Sequence, residues 1–64
     1  MSGVANDKVL KVINDSKLPI TKAEIEEVLI NLSRTTIEKS LKELTDSLKI
    51  QMIQSGKYAK YYKI

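Results

Sequence analysis

The chain has 64 residues, a formal net charge of +3, and neither cysteine nor histidine. This excludes disulfides and thiolate or imidazole metal sites, and it removes the common nucleophile–base pairs of catalysis. A chain this short makes one domain and buries only about 60% of the surface its unfolded form exposes. The charge is unevenly placed. Residues 1–32 carry four lysines against five acids, whereas residues 33–64 carry six lysines and Arg34 against three acids. A basic C-terminal half points toward a polyanionic partner, and equally toward lysines that serve solubility.

The opening MSGVAND has no basic stretch followed by an apolar one, so it does not read as a signal peptide, and no apolar run approaches the ~20 residues of a membrane span. Residues 1–5 read as a flexible leader and residues 6–64 as the folded domain. In NDKVLKVINDSK, Val9, Val12 and Ile13 recur at helical spacing, with Asn6 or Asp7 as N-cap. The spacing predicts a first helix over about 5–15.

LPITKAEIEEVLI carries a helix start. Thr21 followed by Glu24 is a capping box, and Ile20 with Ile25 can form a hydrophobic staple across it. Pro19 holds the entering chain extended. A second helix is predicted over about 22–30, with Ile25, Val28 and Leu29 on its apolar face. Asn31 falls where the chain must turn, and asparagine tolerates the left-handed conformation better than most residues. A connection of about three residues thus joins the second helix to a third, which Ser33 can cap and which runs to about Ser47. Its core stripe is Ile37, Leu41, Leu44 and Leu48, spaced 4, 3 and 4. Thr35, Lys39, Lys42 and Asp46 lie opposite that stripe.

KIQMIQ and YAKYYKI then change the period. Rich in β-branched and aromatic residues and separated by Ser55-Gly56-Lys57, they predict a β-hairpin. Ile50, Met52, Tyr62 and Ile64 are expected inward, with Tyr58 and Tyr61 outward or at the rim. A one-residue slip would exchange the two faces.

Three helices followed by a two-stranded hairpin, an α+β arrangement, resemble the winged helix-turn-helix family. The resemblance rests on ITKAEIEEVL, on Ser33-Arg34-Thr35-Thr36-Ile37 opening the third helix, on Leu41 with Leu44, and on the closing SGKYAKYYKI. It covers about residues 6–64. It is most similar to small modules of prokaryotic regulators and to C-terminal modules of Fic-type proteins. It implies a recognition helix over about 33–47 in the major groove of double-stranded DNA. The basic hairpin, about 49–64, would lie along the backbone, in the service of transcriptional control. By family position Arg34, Thr35, Thr36, Lys39 and Lys42 would face bases or phosphates. Ser33 caps the helix and can offer its hydroxyl to a phosphate, and Lys57 and Lys60 on the hairpin would reach the backbone. Two features depart from the family: Asn31, and Ser47-Leu48, stand where glycine is common. A non-glycine residue with positive φ there would be strained.

Other readings of the same residues stand beside this one. The third helix is electrically neutral, with Arg34, Lys39 and Lys42 against Glu38, Glu43 and Asp46, and Glu38 with Lys42 has the spacing of an ion pair. Lysines on a hairpin also discourage edge pairing. The tyrosines could stack on bases, though the pattern favours packing within the sheet. Adjacent Glu26 and Glu27 point about 100° apart and do not converge. No enzyme activity and no cofactor are expected. The alternative function is a winged-helix module that binds protein within a larger assembly. A homodimer or a larger protein partner is the expected complement to a lone half-site reader. The expected location is cytoplasmic, with the nucleoid if the chain binds DNA.

Overall fold

In chain order, the computed structural model, which describes residues 2–54 and 56–64, contains helix α1 (Ser2–Asp15), strand β1 (Ile20–Thr21) and helix α2 (Lys22–Val28). Helix α3 (Arg34–Asp46) and strands β2 (Ile50–Gln54) and β3 (Lys60–Lys63) follow. The chain is therefore α+β, with three helices and a three-stranded antiparallel sheet ordered β1-β3-β2. Among the described residues no helix is long and apolar enough to cross a membrane.

The helix starts follow from local chemistry. Thr21 is extended and caps α2: its hydroxyl accepts from the Glu24 N–H at 3.2 Å, and the Thr21 N–H donates to Glu24 Oε1 at 3.0 Å. Both halves of the predicted capping box are thus present. Ser33 caps α3 by accepting from the Thr36 N–H at 3.2 Å. Helix α1 begins at Ser2, earlier than expected. Residues 2–5 are helical, Ala5 is buried, and Asn6 and Asp7 lie inside the helix rather than at its cap. Asn6 turns its amide to Glu43 Oε1 at 2.8 Å and so ties α1 to α3.

Helix α2 ends two residues short of the expected bound. Leu29 closes it through its N–H to the Ile25 carbonyl, and the Leu32 N–H bonds to the Leu29 carbonyl. Asn31 does not take a positive φ; among the described non-glycine residues only Leu48 does, at 60°. Leu48 follows the Ser47 C-cap of α3. Its N–H reaches the Thr45 carbonyl at 3.1 Å, and the Lys49 N–H reaches the Leu44 carbonyl at 3.0 Å. These two bonds make a Schellman motif with leucine in the position glycine usually fills. The left-handed residue reverses the chain into β2, so Leu48 leaves the helical stripe and is 77% exposed, contrary to its predicted core place.

One core joins all the elements. Val9 and Ile13 of α1, Ile25 of α2, Ile37, Leu41 and Leu44 of α3, and Ile50 of β2 are buried together. Leu10, Val12, Ile20, Leu29, Leu32 and Tyr61 pack around them. The sequence spacing had placed most of this set in the core. The sheet differs from expectation in two ways. Strand β1 adds a third strand, pairing Ile20 with Tyr61 and Thr21 with Lys60. The register of β2 on β3 sets Ile50 opposite Lys63 and Met52 opposite Tyr61. Directly opposed residues share a face. Tyr61 therefore faces inward with Ile20 and Ile50, while Tyr62 turns to the other face and donates to the Lys17 carbonyl at 3.3 Å. Met52 is half-exposed and Ile64 exposed, so neither joins the core. Of the expected turn, Ser55 lies outside the described residues; Gly56 has φ of 102°, a conformation that suits glycine.

Candidate nucleic-acid interface

The first turn of α3 presents its side chains outward. Ser33, Arg34 and Thr35 are exposed, and Thr36 is half-buried with its hydroxyl 2.9 Å from that of Ser33. Ser33 and Thr36 thus form a small hydroxyl pair at the helix start. Lys39 and Lys42 are exposed further along the same helix, opposite the buried Ile37, Leu41 and Leu44. Helical spacing alone separates these faces.

Beside this helix start runs a groove of about 410 Å³. Lys22, Ala23 and Glu26 of α2 form one wall, Arg34, Glu38 and Leu41 of α3 a second, and residues 56–59 with Tyr61 of the hairpin a third. The fold thereby brings Arg34 and Lys57 to one concave surface, although they are distant in sequence. Lys39, Lys42 and Lys60 lie outside it. Lys60 is paired with Thr21 across the sheet, and its charge acts on Glu24. The eight predicted contact residues therefore divide. Arg34 and Lys57 line the groove, and Ser33, Thr35 and Thr36 sit with Arg34 at the start of α3. Lys39 and Lys42 extend along the outer face of α3, and Lys60 belongs to the sheet side.

Two crossed ion pairs join α2 to α3 in the groove. Lys22 Nζ meets Glu38 Oε2 at 2.6 Å, and Arg34 Nε meets Glu26 Oε1 at 3.5 Å. The hydrogen bond and charge of Lys22 hold the Glu38 carboxyl below its ordinary pKa, with a smaller contribution from Arg34. Glu24 is also held low, first by the Thr21 N–H and then by the Thr21 hydroxyl. The expected Glu38–Lys42 pair is not formed; Lys42 meets Asp46 at 3.8 Å instead. Among the described residues Lys57 has no carboxylate at ion-pair distance, and its ammonium lies 5.6 Å from the Tyr58 ring centre.

Sequence reasoning missed Lys22, Glu26 and Tyr58 as groove residues. The partners in the crossed pairs are separated by eight and sixteen positions, so no local pattern marks them. Tyr58 is 66% exposed and offers a flat apolar face at the groove mouth. The groove is lined by three cations, Lys22, Arg34 and Lys57, by the carboxylates Glu26 and Glu38, and by apolar surface from Ala23, Leu41, Ala59 and Tyr61. Comparison with protein-family models, with curated proteins and with solved structures gives no match.

Proposed function

We propose that this chain is a winged helix-turn-helix module that binds duplex DNA, with α3 entering the major groove and the β2–β3 hairpin lying along the sugar–phosphate backbone. The observation that carries the reading is the groove shared by Arg34 at the start of α3 and Lys57 at the hairpin tip. A backbone passing there would meet a guanidinium and an ammonium from two elements at once, and the exposed Thr35, Lys39 and Lys42 would face base edges or the adjoining strand. The element order supports it as well: a strand between the first two helices pairs with the hairpin. The role that follows is transcriptional control by a prokaryotic-type regulator.

A second reading is a protein-binding module of the same fold. Val28 and Ile30, at the end of α2 and in the turn before α3, are largely exposed, Ile30 at 79%. Glu26 and Glu38 also neutralise two of the groove's cations. An NMR titration with random-sequence duplex DNA separates the readings. Amide shifts confined to residues 33–42 and 56–60 are expected for DNA binding. An unchanged spectrum at low salt favours the protein module.

A further inference from the structure

We infer, resting on that DNA reading, that Tyr58 is a stacking platform for one unpaired base, so that the DNA this chain holds best is a duplex with a single-stranded tail. The three tyrosines of the hairpin are placed differently. Tyr61 packs against the core, and the Tyr62 hydroxyl donates to the Lys17 carbonyl. Tyr58 lies in the turn before β3, is not paired across the sheet, and is 66% exposed. The packing within the sheet that the sequence pattern favours is therefore not formed at Tyr58. Its ring instead lines the groove beside the start of α3.

Charge and size select a nucleotide as the occupant. The charged lining residues are Lys22, Arg34 and Lys57 against Glu26 and Glu38, three cations against two carboxylates. Lys22 and Arg34 are engaged with Glu38 and Glu26. The surplus positive charge thus resides on Lys57, whose ammonium lies 5.6 Å from the Tyr58 ring centre. A flat ring beside a cation with no carboxylate partner matches a flat base joined to a phosphate: the base stacks while the phosphate meets the ammonium. An apolar ligand would leave that ammonium without a counter-charge, and a bare anion would leave the ring uncovered. The groove, at about 410 Å³, is in the size range that takes one small molecule. Bases inside a duplex are covered on both faces by their neighbours, so an unpaired base is the one that can offer a face to Tyr58. Tyr58 follows Lys57 directly. A strand leaving the duplex past Lys57 therefore meets the ring next.

Fluorescence anisotropy at low salt tests this with three ligands of one duplex sequence: blunt, extended by a short thymidine tail, and extended by an abasic tail of equal length. The thymidine-tailed duplex is expected to bind about five-fold or more tighter than the blunt one, the effect of stacking one base on an aromatic ring. The abasic tail, which adds phosphates without bases, should recover little of that gain. Tyr58→Ala should bring the ratio of tailed to blunt affinity close to one, and Tyr58→Phe, which keeps the ring, should preserve it. Equal wild-type affinity for blunt and thymidine-tailed duplexes overturns the inference and leaves the DNA reading standing. A gain that persists with the abasic tail or in Tyr58→Ala overturns it as well. No measurable binding of any of the three ligands overturns both.

Discussion

Leu48 occupies the left-handed position of the turn that closes α3, with φ of 60° and its side chain mostly in solvent. A left-handed conformation costs a residue with a Cβ roughly 1–2 kcal/mol, and glycine escapes that cost while losing more entropy on folding. Since little packing is at stake, Leu48→Gly should stabilise the chain by about 0.5–1 kcal/mol. For a domain of this size about 1 kcal/mol corresponds to a rise in Tm of about 4–8 °C; a fall in Tm would show that Leu48 has a packing role its exposure hides. Thr21 acts at the opposite end of a helix. Its hydroxyl and N–H satisfy and are satisfied by Glu24, so Thr21→Ala should cost about 0.5–2 kcal/mol in urea denaturation. The same contacts, and those of Lys22 with Glu38, fix a pH dependence. Both carboxyls have folded pKa values below the ordinary 4.5. A depressed folded pKa gives stability that is complete above the unfolded value and disappears as pH falls through the folded one. Melting temperature should therefore hold steady above about pH 5 and drop below about pH 4. Glu24→Gln keeps an oxygen for the cap yet cannot titrate, so it should make that acid-side drop shallower.

Among the elements, α3 does most to organise the molecule, because its buried stripe touches α1, α2 and the sheet. Leu41 lies in that stripe and under the groove, and Leu41→Ala should cost about 2–5 kcal/mol, enough to lower the urea midpoint sharply. A midpoint near wild type would contradict the helical phase assigned to α3. Its stripe was legible in the sequence because Ile37, Leu41 and Leu44 repeat every three or four residues, and the starts of α3 and α2 because Ser33 and Thr21 are hydroxyl caps before apolar runs. Strand β1 was not legible: two residues are too few to show a period, and their strand character comes only from pairing with Tyr61 and Lys60. The hairpin was legible as an element but not in register, since KYYK offers adjacent tyrosines and pairing alone decides which one turns inward. Leu48 misled for a related reason. It continues the heptad-like spacing, yet the chain has already left the helix at Asp46.

At the scale of the whole molecule, the candidate interface exists only through tertiary contact. Sequence pattern could nominate Arg34 and Lys57 by resemblance, but their meeting in one groove depends on how the hairpin folds back beside α2 and α3. The acids that meet there are equally tertiary. Glu26 holds Arg34, so any phosphate must compete with it for the guanidinium. Glu26→Gln should release that competition and tighten binding to all duplex sequences alike, which fluorescence anisotropy can read. Whether the groove takes the DNA backbone is read most directly from the dependence of binding on salt. Each neutralised phosphate contributes about 0.9 to the slope of log K against log salt on B-DNA. Replacing Arg34 and Lys57 together by alanine should lower that slope by about 2 and weaken binding to every sequence. A slope identical to wild type, or no measurable affinity of the wild-type chain for duplex DNA at low salt, would contradict the claim.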